Sequence, residues 1–238
     1  MNLQALVSAL AVVVLFPTAG HAQQNAPTAS FQVRAVLHDP VNPVAELYLP
    51  DPAGQVVKLK LIGEGLSEAQ ATTPVNGSLI LYNKPVVDPK NPGPSLAASV
   101  KIPAGMKRAI VVVLPSAPDT KPAYRMVLID DSPGAFTGGE SRVLSLVSFE
   151  AALQAGEHKL PVKPASVTKV PAVKQVNEFN MAQTNFYYKE GEAWVAFTER
   201  QLQYLKEFRR IFLVYLTPGS TQPFVTTIVD ALPAVLPQ

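Results

Sequence analysis

Proline constrains this chain more than any other residue. There are 23 prolines in 238 residues, about twice the usual share. Each costs about 3 kcal/mol or more inside a helix and removes a ladder donor from a central strand. The chain is therefore expected to be built from short elements separated by punctuated turns. Between the prolines lie short runs rich in Val, Ile, Leu, Tyr and Thr, the residues that fit a pleated, half-buried surface. These runs predict strands over 31–38, 44–49, 56–62, 78–82, 97–102, 109–114 and 124–129, and then over 142–147, 159–162, 167–170, 180–188, 193–198, 211–216 and 224–229. Turn signals every eight to twelve residues make this an all-β chain of antiparallel, Ig-like β-sandwich architecture. Val57-Lys58-Leu59-Lys60-Leu61 alternates cleanly between faces, whereas Ile110-Val111-Val112-Val113-Leu114 is apolar on both and suits a central strand.

One segment competes with the all-β reading. Thr198-Glu199-Arg200-Gln201 has capping-box spacing, and Phe197 with Leu202 has that of a hydrophobic staple. A short helix near 199–208 is expected, with an irregular loop as the alternative.

The N-terminus is read apart from the fold. Residues 6–16 form an apolar run of signal-peptide length, well short of the roughly twenty residues that span a bilayer. Gly20-His21-Ala22 places small residues where a signal peptidase reads, although no Lys or Arg precedes the run. The expectation is export to the periplasm or exterior after cleavage near Ala22, with an uncleaved anchor as the rival. Residues 23–30 then form a flexible lead-in, and no later apolar run approaches membrane length.

The chain also contains two similar units. Arg108-Ala109-Ile110 opens an apolar strand that leads through Lys121-Pro122 to a second strand and Asp130; Arg210-Ile211-Phe212 does the same through Gln222-Pro223 to Asp230. This predicts two tandem sandwich modules, over 31–131 and 140–238, divided near Asp131 to Glu140; one larger sandwich built from both halves is the alternative. Two Ig-like modules of this size are similar in overall plan to periplasmic pilus chaperones. No stretch reproduces the chaperone signature segments, so the likeness implies no residue roles.

Composition narrows the chemistry. With no cysteine, the chain has no disulfide, thiol nucleophile or Cys-ligated zinc. A net charge of +2 is too balanced for a charge-driven grip on nucleic acid. Beyond the signal segment only His38 and His158 remain, neither in a metal-ligand spacing, and there is no nucleophile elbow, phosphate loop or dinucleotide fingerprint. No catalytic residue or cofactor is assigned. Asp130, Asp131 and Glu140, in a turn-rich loop with Ser and Gly, are the candidate metal ligands, for Ca²⁺; the spacing is not that of an EF-hand, and an interdomain turn is the plainer reading. The run 158–174 carries Lys159, Lys163, Lys169 and Lys174, either as a docking edge for an anionic polymer or as an edge guarded against aggregation.

Aromatic residues concentrate in the second half, from Phe186 to Tyr215. Most rings there must be core, since each buries about 150–250 Å². Strand alternation sends Tyr187 opposite to Phe186 and Tyr188, so one or two of Tyr187, Tyr188 and Trp194 form the candidate binding surface. Two functions follow as expectations: a non-catalytic exported module that recognises an envelope protein or polysaccharide, or a secreted carboxylate-based hydrolase of glycans or esters.

Overall fold

The computed structural model describes residues 30–39, 45–62, 65–88 and 90–232; the predicted signal peptide and most of the predicted lead-in lie outside these residues. The described chain is sixteen strands and one 3-10 turn. The first eight strands are β1 (Phe31–Leu37), β2 (Tyr48–Pro50), β3 (Val56–Lys58), β4 (Gln70–Thr72), β5 (Ser78–Tyr82), β6 (Leu96–Lys101), β7 (Arg108–Pro115) and β8 (Tyr124–Asp130). The second eight are β9 (Ser141–Ser145), β10 (Ala151–Ala155), β11 (His158–Val162), β12 (Val167–Val170), β13 (Met181–Glu190), β14 (Ala193–Gln203), β15 (Phe208–Tyr215) and β16 (Phe224–Ala231). Among the described residues no helix is long and apolar enough to cross a membrane.

The strands form four sheets of four, ordered β3-β2-β5-β6, β4-β1-β7-β8, β12-β9-β15-β16 and β11-β10-β13-β14. Adding eight to each strand number of the first two sheets yields the other two, so the chain is two tandem β-sandwich modules of one topology. Each module contains one parallel pair, β1 with β7 and β9 with β15; the other pairings are antiparallel.

Each module has its own core, and a third core joins them. In β7, Ala109, Val111 and Val113 face the β2-β5-β6 side, while Ile110, Val112 and Leu114 face away from it. In β15, Phe212 and Val214 point into the second module, whereas Ile211 and Leu213 point at the first. The two inner sheets thus pack face to face through Val36, Ile110, Val112, Leu114, Ile129, Leu144, Ile211, Leu213 and Ile228. That contact explains why the strand 109–114 is apolar on both faces. The molecule is a stack of four layers, with an outer sheet at each end.

The expected helix near 199–208 is not formed, and the alternative, a loop, holds only for the turn over 204–207. Residues 193–203 continue as β14, paired with β13 along its whole length. A β13 partner of ten residues offers more hydrogen bonds and buried surface than two turns of capped helix, so tertiary pairing overrides the local signal. Two strands were not legible, β4 and β10, since Gln70-Ala71-Thr72 and Ala151-Ala152-Leu153-Gln154-Ala155 carry almost no β-branched or aromatic residues.

The repeat is present, but one residue out of the expected register. Ile110 pairs with Ile129, and Ile211 with Ile228. Arg108 is therefore the counterpart of Arg209 rather than Arg210, and Asp131 rather than Asp130 is the counterpart of Asp230. A shift of one residue moves a strand's side chains to the opposite face, and here it decides which charges enter the contact between the modules.

Candidate binding site

The outer face of the second module carries the candidate site. Its sheet runs β11-β10-β13-β14, with Tyr187 opposite Ala152 on one side and Ala196 on the other, and Trp194 opposite Lys189. Alternation turns Leu153, Leu160, Phe186 and Phe197 inward to the module core, leaving Gln154, Asn185, Tyr187 and Trp194 on the outer face. A bulge falls between Phe186 and Tyr187, so Phe197 on β14 is an extra residue. The extra residue resets the alternation. Phe197 packs against Phe186 and Tyr188 at ring-centroid distances of 6.1 and 5.9 Å, while Trp194 stays 50% exposed.

Tyr187 and Trp194 border a groove of about 470 Å³, lined also by Ala152, Gln154, Lys159 and Pro161. Tyr187 is held by a relay along its own strand. Gln183 Nε2 donates to Asn185 Oδ1 at 2.6 Å, and Asn185 Nδ2 donates to the Tyr187 hydroxyl oxygen at 3.2 Å. The site therefore offers two rings, an oriented phenol, an amide and one ammonium, and no carboxylate lines it among the described residues. Flat rings beside a few placed polar groups suit a ligand with apolar C–H faces and many hydroxyls.

Of the three aromatic candidates, the structure brings two together. Tyr188 takes the other face of β13, where its ring meets Phe149 at 5.8 Å and Phe197. Gln154 and Asn185 escaped sequence reasoning because β10 was not legible and because an isolated amide in a strand carries no signal until its neighbours are known.

The carboxylates proposed for Ca²⁺ are engaged elsewhere. Asp131 is buried, 2.9 Å from Arg108 and 2.8 Å from Arg209. Glu140 lies 3.2 Å from Arg142 and 2.8 Å from Lys169, and Asp130 accepts the Ser132 amide at 2.9 Å. Burial pushes the Glu140 carboxyl up, but the bonds from Lys169 and the Thr137 amide, with the Arg142 charge, outweigh it and hold it below the usual range. Among the described residues no group of three His, Asp or Glu side chains could hold a metal. The loop between the modules acts as a wedge instead: Phe136 is buried in the shared core, with the Arg142 and Arg209 guanidiniums 4.3 and 4.5 Å from its ring centre.

His38 packs edge-on against Tyr215 of the other module at 4.4 Å. His158 Nε2 lies 3.2 Å from the Ala172 carbonyl oxygen and 3.4 Å from Glu157. The lysine-rich run forms β11 and β12, each at the edge of its sheet, where Lys and Pro discourage pairing with other chains. No protein-family model matches the chain and no curated protein matches it in sequence.

Proposed function

We propose that this chain is an exported, non-catalytic envelope protein whose second module, an Ig-like sandwich, binds a polysaccharide in the groove between Tyr187 and Trp194. The observation that carries the reading is the placement of these two rings on one exposed sheet face, beside the Gln154 amide and, among the described residues, apart from any lining carboxylate. The C–H face of a sugar ring stacks on an aromatic ring, and hydroxyls bond to Gln154, Lys159 and the Tyr187 phenol. A hydrolase of the usual glycosidase type needs two carboxyl groups facing each other across the scissile bond, and the groove supplies neither.

Export rests on the apolar run 6–16 and Gly20-His21-Ala22. Envelope fractionation followed by N-terminal mass analysis tests it, with Gln23 as the expected first residue. Binding is tested by affinity electrophoresis through gels cast with envelope polysaccharides. Retardation of the wild-type protein that is lost in Trp194→Ala supports the reading. Equal mobility of both proteins in every gel overturns it.

A further inference from the structure

The two inner sheets share one register, and around one matching pair of arginines the neighbouring side chains differ. Arg34 sits opposite Ile110 and Arg142 opposite Ile211, so Arg34 and Arg108 of the first module match Arg142 and Arg209 of the second. In the second module this arginine pair is closed over. Glu140 and Lys169 form an ion pair beside Arg142, and the Phe136 ring fills the space between the two guanidiniums. Following the registers one residue further, Glu140 corresponds to Gln32 and Lys169 to Ala69. Both replacements remove a charge, and the second removes most of a side chain. The result is a pocket of about 310 Å³ lined by Gln32, Arg34, Ala69, Arg108 and Asp131.

Charge in this pocket is unbalanced. Arg34, Arg108 and Arg209 meet two carboxylates, Asp131 and Asp230. Arg34 spends both Nη atoms on Asp230, and Arg209 is buried. Arg108 engages Asp131 through Nη2 alone, and its side chain is 43% exposed. The surplus positive charge therefore faces the pocket with donors to spare, beside the Gln32 amide.

We propose that this pocket binds an organic carboxylate carried on an apolar or aromatic body. The ligand's carboxylate supplies the negative charge that Glu140 supplies in the second module; because Arg34, the counterpart of Glu140's partner Arg142, is taken by Asp230, it accepts from Arg108 and Gln32, and its apolar body takes the part of Phe136. The carboxylate belongs either to a free small acid or to the end of a peptide. This site lies in the first module and stands or falls independently of the groove at Trp194.

The test follows arginine side-chain Nε–H signals by NMR in the full chain. The probes are 3-phenylpropionate and the tripeptide Gly-Gly-Phe, each compared with its uncharged amide. The expected result is a saturable shift of the Arg108 signal by at least one carboxylate and by neither amide. Tighter binding of the free acid identifies a small-molecule ligand, and tighter binding of the tripeptide identifies a chain terminus. Arg108→Gln, read on the Arg34 signal, should weaken binding about tenfold, the loss of one charge-assisted contact. The double variant Gln32→Glu with Ala69→Lys rebuilds the closure seen in the second module; it should abolish binding with the melting temperature retained. No saturable shift in the wild-type protein, equal shifts from the amides, or undiminished binding in a folded double variant overturns the proposal.

Discussion

Arg34 and Asp230 lie 196 positions apart in the chain and meet across the boundary between the modules, with Arg34 Nη1 3.0 Å from Asp230 Oδ2 and Nη2 on the second oxygen. Asp230 is also bonded by Arg209 Nε at 2.9 Å. One carboxylate from the last strand thus receives a guanidinium from each module. Burial acts to raise the Asp230 carboxyl, but the hydrogen bonds from Arg34 and Arg209, with their charges, outweigh it and hold it below the usual carboxylate range.

Removing the Asp230 charge leaves a buried Arg209 and a part-buried Arg34 without their shared partner. Breaking a buried ion pair from one side costs about 3–5 kcal/mol. Asp230→Ala is expected to lower unfolding free energy by that amount in urea titrations. Asp51→Ala, at an exposed turn where the carboxylate only caps the Ala53 and Gln55 amides, should cost no more than about 1 kcal/mol.

Acid should weaken the same contact. Asp230 and Glu140 both have folded-state pKa values below their ordinary ones. Their contribution is complete above the unfolded-state values of about 4 and is lost as pH falls through the lower folded values. The melting temperature is expected to fall on acidification below about pH 4, and Asp230→Ala should flatten that fall.

The wedge between the modules is tested at two positions. Phe136→Ala removes a buried ring held between two guanidiniums and should cost about 3–5 kcal/mol. At Gly138 a Cβ would lie 1.9 Å from the Lys206 carbonyl oxygen. Gly138→Ala therefore forces backbone to move and should cost about 1–3 kcal/mol, in the manner of overpacking. Both variants are read by chemical denaturation.

Tyr187 and Tyr188 are adjacent and should separate binding from stability. Tyr188 contacts Phe149 and Phe197 on the inner side, so Tyr188→Ala should destabilise by about 2–4 kcal/mol. Tyr187→Ala, on the outer face, should cost less stability and abolish retardation in polysaccharide gels. Thermal melts run beside the gels distinguish the two.

Much of this architecture is legible in residue pattern. Proline spacing and β-branched runs place most strands, and alternation alone predicts that Tyr187 and Tyr188 part company. The two-faced apolar strand 109–114 signals a central position, but only the facing sheet reveals that its second face is the contact between modules. Arg34 and Arg142 do carry a sequence signal: each is the lone charge of a largely buried strand, which calls for a buried partner. The partner of Arg34, Asp230, lies 196 positions away, too far for spacing to show it, whereas Arg142 has Glu140 two residues before it. The groove was half visible, since its rings can be found by alternation, whereas Gln154 enters it from a strand with no β propensity. The helix expected after Phe197 failed because its cap signal is local and the pairing that defeated it spans the length of β13.

The central claim, that the face bearing Tyr187 and Trp194 binds envelope polysaccharide, is tested most directly by the fluorescence of the chain's single tryptophan. Trp194 borders the groove and is half exposed, so a sugar ring stacked on it displaces water from the indole. Titration with a panel of envelope polysaccharides is predicted to give a saturable emission change with at least one polymer, lost in Tyr187→Ala. A flat response across the panel would contradict the claim.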